Sequence, residues 1–273
     1  MLKKLFSHDM RALSRYMVPI ICALLGIAVV ACVCLSIFWA NNEFIMNPYN
    51  PFMGLFSVSF AFVYVFLFLT IAVGFFAFYI VYILRVRSHM FGDEGYLTMA
   101  VPATAHEHTL SKLFSGAVWY YISAITEIVV LIVAFVVPIL FTPGMFDGTT
   151  PPPDTATEAI SALGVLNIVL TILLYAVIMP FTQVMILQAT VTIGSLMGKK
   201  SHIAISVLVY IGINLTSSLL QSILTDCILI GGRGDPDLLG VLYTGILWLI
   251  QIGLFVSLYF INTRLLTRHV NLE

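Results

Sequence analysis

Residues 52 to 84 form a run of 33 residues without one charged side chain. Coiled as an α-helix at 1.5 Å per residue, such a run reaches about 50 Å. The hydrocarbon core of a bilayer is about 30 Å thick. An uncharged apolar run of this length reads as a membrane-spanning helix that tilts or protrudes. Five further apolar runs repeat the pattern, at 17–40, 113–141, 160–197, 203–230 and 238–262. Only 9% of the chain is charged, against about 25% in a soluble domain. The expected class is therefore an all-α integral membrane protein with six transmembrane helices.

Basic residues orient the spans, because Lys and Arg stay on the cytoplasmic side. Lys3, Lys4, Arg11 and Arg15 precede the first span. Arg85, Arg87 and Lys112 follow the second, Lys199 and Lys200 the fourth, Arg264 and Arg268 the sixth. Arg233 alone falls on the other side, together with Glu43, Asp147, Asp154, Glu158, Asp226, Asp235 and Asp237. Both termini are expected in the cytoplasm. Residues 2–17 place Leu2, Leu5, Phe6, Met10, Leu13 and Met17 on one helical face, with basic residues mostly opposite. That pattern suits an interfacial helix at 1–16; the plainer reading is a basic leader without a fold of its own. The six-helix domain then covers 17–266, and a tail covers 267–273. The fourth run is 38 residues long and holds Pro180, so a kink is expected there.

Most short motifs carry no chemistry. Gly194, Gly198, Lys199 and Lys200 fail as a phosphate loop, because the glycines are one residue too close and Lys200 replaces the required Ser or Thr. His106-Glu107-His108 lacks the i, i+4 histidine spacing of a zinc protease helix. The six histidines (His8, His89, His106, His108, His202, His269) all fall on the cytoplasmic side and read as solvated surface. Cys22, Cys32, Cys34 and Cys227 show no C-x-x-C or metal spacing and read as buried apolar thiols. Val29-Val30-Ala31-Cys32 resembles a lipoprotein cleavage box, but the segments before it are longer than a signal peptide usually has. Arg233-Gly234-Asp235 is a common tripeptide. The sequon Asn214-Leu215-Thr216 lies inside a span. No catalytic residue and no metal site is expected.

Two intramembrane features stand out. Glu127 lies near the centre of the third span, where insertion scales set a penalty of about 2.5–3.5 kcal/mol for an acidic side chain. It is expected to face the protein interior or water, protonated or bonded to Ser or Thr. Its role is either a helix–helix hydrogen bond or the handling of substrate or protons. Asn214, Ser217, Ser218, Gln221 and Ser222 form a polar stripe on one face of the fifth span. The stripe either packs against another helix or lines a wet path.

The loop at 85–112 is the longest stretch between spans on the basic side. Thr104 and Glu107 have capping-box spacing, and Pro102 stops any helix running through. A new helix is expected near Ala105. Met90, Phe91, Tyr96 and Leu97 are apolar beside Asp93 and Glu94. They either touch lipid headgroups or dock a cytoplasmic partner.

The stretch Phe91-Gly92-Asp93-Glu94-Gly95-Tyr96-Leu97-Thr98, continued by Val101-Pro102-Ala103-Thr104, Glu107 and Ser111-Lys112, resembles the loop after the second helix in membrane subunits of bacterial ABC-2 type transporters. Val101, Ala103, Thr104 and Glu107 depart from that pattern, and the last two keep the capping box. The likeness in arrangement spans almost the whole chain; the motif covers residues 91–112. The resemblance implies a permease with an interfacial helix, six spans and a cytoplasmic coupling helix, in the bacterial cytoplasmic membrane. It implies pairing with a second permease subunit and docking of Met90, Phe91, Asp93, Glu94, Tyr96 and Leu97 on an ABC ATP-binding subunit. ATP and Mg would sit on that partner, with no cofactor here. It further implies a seam between permeases where Asn214, Ser217, Ser218 and Gln221 oppose Phe68, Phe75 and Tyr79. The apolar, aromatic second span suits an amphipathic peptide, drug or lipid-like cargo for export. An ion-coupled secondary transporter and a non-transporting membrane anchor are the alternative classes.

Overall fold

The computed structural model describes residues 2–40, 53–92, 95, 103–136, 162–197, 202–231 and 236–269. Every element among them is helical. Helix α1 is Leu2–Ala40, α2 is Met53–Phe91, and α3 is Ala105–Leu131, ending in a π turn at Ile132–Val136. Helix α4, Ala162–Leu173, passes through a second π turn, Leu174–Ile178, into α5, Met179–Met197. Helix α6 is His202–Gly231 and α7 is Pro236–His269. Taking α4 to α5 as one rod, six helices among the described residues are long and apolar enough to cross a membrane. The chain thus has the character of a multi-pass membrane protein.

The segment with the interfacial pattern forms the opening of α1, which runs unbroken for 39 residues. Nothing between Arg15 and Val18 breaks a helix, and Pro19 is carried inside it. The two faces divide as the pattern predicts. Leu13 and Met17 are buried, while Lys3, Lys4, Arg11 and Arg15 are exposed.

A π turn, Leu174–Ile178, lies just before Pro180, where a kink is expected. Proline has no N–H for the carbonyl four residues back. In that turn Met179 N–H bonds Leu174 O, five residues earlier. The π turn at Ile132–Val136 likewise stops two residues short of a proline, Pro138.

The helices fall into two compact units. The first holds residues 1–12, 82–120 and 158–273. Its core is α5, where every residue from Val184 to Val191 is buried. Helices α6 and α7 pack on α5, and α4 packs on α7. The hydroxyls of Thr182, Thr190 and Thr192 bond carbonyls one turn back, so α5 buries them without orphan groups. Across α4 and α7, Thr244 donates to Asn167 Oδ1 at 2.6 Å and Trp248 Nε1 donates to Leu170 O at 3.1 Å. Gly240 makes room for this pair, since a Cβ there would sit 2.6 Å from Asn167 Nδ2. The second unit holds residues 13–81 and 121–157. There Ala31, Leu67 and Ala134 form a small core, and Gly74 admits the Leu24 side chain at a distance a Cβ would obstruct.

Candidate functional site

The loop of interest is shorter than its sequence suggests, because helix claims both of its ends. Helix α2 continues through Phe91, and α3 begins at Ala105. The capping box forms as its spacing requires. Glu107 Oε2 accepts from Thr104 N–H at 3.0 Å, and Thr104 Oγ1 accepts from Glu107 N–H at 3.3 Å. At the other end Gly95 N–H bonds Gly92 O at 2.8 Å. A Cβ on Gly92 would lie 2.7 Å from Ser88 O, and one on Gly95 would lie 2.7 Å from Met90 O. Only glycine lets the chain close over the end of α2 in this way. That closure buries Met90 at 5% exposure and leaves Phe91 half-buried. Of the expected docking residues, Met90 is thus a core residue of the helix end and Phe91 keeps surface. Asp93, Glu94, Tyr96 and Leu97 lie outside the described residues.

Behind this loop the first unit holds a buried polar joint that the sequence does not announce. On α2, Tyr82, Val86 and His89 fall on one helical face and are all buried. On α3, Ser111, Lys112, Ser115 and Gly116 face inward. Gly116 is required there, since a Cβ would meet Tyr82 Cε2 at 2.6 Å and Val184 Cγ1 at 2.7 Å. Asp9 of α1 completes the joint. Its Oδ2 accepts from Ser111 Oγ at 2.7 Å, and its Oδ1 accepts from Lys112 Nζ at 3.5 Å. Lys112 Nζ also meets His89 Nδ1 at 3.2 Å. The Lys112 carbonyl accepts from Tyr82 OH at 3.0 Å and from Ser115 Oγ at 3.1 Å. Gln188 Nε2 of α5 donates to Tyr82 OH at 2.8 Å. One residue, Lys112, thereby ties α1, α2, α3 and α5 together.

Asp9 and Lys112 are 7% and 5% exposed. A carboxylate and an ammonium taken so far from water each need their partner, since the desolvation penalty is several kcal/mol per ion. The Ser111 bond and the His89 contact add further partners to the pair. His89 and His108 are themselves buried, at 6% and 3% exposure, which corrects the reading of all six histidines as solvated surface. The reason is local. Helix α2 outlasts the span and carries His89 to its protein-facing side, and α3 starts early enough to turn His108 inward. His8 and His106 remain exposed, and His106 Nδ1 meets Tyr259 OH of α7 at 3.0 Å.

The remaining expected residues are more scattered. On α6, Asn214, Ser217 and Gln221 are half-buried, while Ser218 and Ser222 are exposed. Their polar atoms are satisfied inside the helix: Asn214 Nδ2 bonds Tyr210 O, Gln221 Nε2 bonds Ser217 Oγ, and Ser218 and Ser222 bond carbonyls three residues back. Of the stripe, Ser217 alone lines a groove of about 510 Å³ between α6 and α7, with Gly212, Gly253 and Ser257. In the second unit Phe68 is 72% exposed, and Phe75 packs its ring 4.9 Å from Tyr79. Glu127 is half-buried in that unit. The cysteines expected as buried thiols are not buried: Cys22, Cys34 and Cys227 are exposed and Cys32 is half-buried, since helices apolar all round leave many apolar side chains on their outer faces.

Comparison with family models, with curated proteins and with solved structures finds no match to this chain.

Proposed function

We propose that this chain is the permease subunit of an ATP-driven ABC transporter of the ABC-2 type, in a bacterial cytoplasmic membrane with both termini inside. In this reading ATP and Mg are bound by a separate ATP-binding subunit that docks on the loop after α2. A second permease subunit completes the membrane part. The cargo is an amphipathic peptide, drug or lipid-like molecule, moved outward. One observation carries the reading: the loop whose sequence resembles the coupling segment leads directly into the joint at Lys112. The capped start of α3 lies two helical turns from that residue, about 12 Å along the axis. A push on the loop therefore reaches α1, α2 and α5 through buried bonds rather than through flexible chain. Motion of a packed, hydrogen-bonded joint is passed on as a discrete shift of whole helices.

The test is purification of the full chain from its native membrane, followed by ATPase assay in reconstituted vesicles. The reading expects a co-purifying ATP-binding subunit whose hydrolysis rises with amphipathic peptides or lipids. Replacing Phe91 and Tyr96 together by Ala should keep the chain in the membrane and abolish that stimulation. Uptake driven by an ion gradient without any ATPase points to the secondary-transporter class. A stable complex with neither activity points to an anchor.

A further inference from the structure

His8 and Asp9 on α1 and His89 on α2 each bring a ligand-type atom to within 4.8 Å of the others. Two imidazoles and a carboxylate are a donor set for zinc-class divalent ions. Of the cations near them, which include Arg85, the Lys112 ammonium is in contact, 3.5 Å from Asp9 Oδ1 and 3.2 Å from His89 Nδ1. An ammonium has donors and no acceptor. His89 must therefore meet it with the Nδ1 lone pair and carry its ring proton on Nε2. That contact makes the 3.9 Å approach of His89 Nδ1 to Asp9 Oδ1 a neighbourhood of two acceptors, bridged by the ammonium, and not an ion pair. The lone pair turned inward is the one a metal ion takes from histidine. Asp9 is prepared in the same sense. Ser111 holds Oδ2 at 2.7 Å, which leaves Oδ1 facing Lys112 and His89. Hydrogen bonds of this kind steady carboxylates that ligate metals. His8 is exposed while Asp9 and His89 are buried, so it can swing inward and solvent can supply a fourth ligand.

We propose that His8, Asp9 and His89 form a cation site whose resident cation is the chain's own Lys112, and that a zinc-class divalent ion takes the place of the ammonium once Lys112 is removed. Zinc–nitrogen bonds of about 2.0–2.1 Å place tetrahedral ligands roughly 3.3 Å apart, so the trio needs only a small closure. A divalent ion and an ammonium cannot share this space, because two like charges about 4 Å apart repel strongly away from bulk water. The tethered ammonium thus holds α1 to α2 and α3 without any supply of metal, and it keeps metal out. The proposal stands apart from the transport reading and is tested without cargo or ATP.

Full-length protein in detergent is titrated with Zn²⁺, and with Co²⁺ for its visible absorption. The wild type should show no stoichiometric site. Lys112→Met should bind one Zn²⁺ at least 100-fold more tightly than the wild type, give a tetrahedral Co²⁺ spectrum, and regain thermal stability in zinc. Adding His8→Ala should remove that gain. If Lys112→Met accumulates poorly, the same order should appear as zinc-dependent recovery of folded protein, again lost with His8→Ala. Equal affinity in wild type and Lys112→Met, a gain that survives His8→Ala, or no response of Lys112→Met to zinc by either measure overturns the proposal.

Discussion

Asp9 and Lys112 are 103 positions apart and share one buried contact. A buried ion pair is asymmetric in its energetics: removing one partner strands the other charge, whereas removing both need not. Asp9→Ala is therefore expected to destabilise the chain by about 3–5 kcal/mol. The double change Asp9→Leu with Lys112→Met should recover most of that loss in the absence of added metal, as read by unfolding in detergent. Equal losses in the single and double variants would mean the pair is not coupled. In the sequence these residues carry weaker signals. Asp9 is the lone acid in a basic amphipathic segment, and Lys112 counts only as one more positive charge near a span. Neither spacing nor composition shows that they meet, because the contact depends on how three helices cross. The same holds for His89 and His108. A histidine at the end of an apolar run is read as surface until the helix is seen to continue past the span.

At the scale of elements, the signals that survived are those written in backbone chemistry. Thr104 and Glu107 predict the start of α3 because a hydroxyl and a carboxylate at that spacing satisfy orphan amides, and both bonds form. Thr104→Ala should weaken the cap by about 0.5–2 kcal/mol, seen as faster hydrogen exchange at amides 105–108. Glu107→Gln should leave exchange nearly unchanged, since Gln also completes the box. A faster exchange in Glu107→Gln equal to that of Thr104→Ala would show that charge, not the reciprocal bonds, holds the helix end. Pro180 was legible as a disturbance of the helix, but its form was not: a π turn precedes it, whereas Pro19 sits inside α1 without one. The interfacial pattern of residues 2–16 continues into the first apolar run as one helix. A helix ends for want of hydrogen bonds, and a switch from amphipathic to wholly apolar side chains removes none.

For the whole molecule, six spans are legible because length and the absence of charge decide them. Which helices pack together is not. A helix that is apolar all round faces lipid and protein with similar side chains, so the burial of α5 and the exposure of α6 cannot be told apart by hydropathy. The central claim is that the loop after α2 is the place where a separate ATP-binding subunit pushes on this chain. The most direct measurement is a photo-crosslinking residue placed at Phe91 and, separately, at Tyr96 in the intact membrane. The account predicts crosslinks from both positions to one ATP-binding subunit, changed in yield by ATP with vanadate and absent when the same residue is placed at Leu249 on the exposed face of α7. Crosslinks from Phe91 and Tyr96 to lipid alone, indifferent to nucleotide, would contradict it.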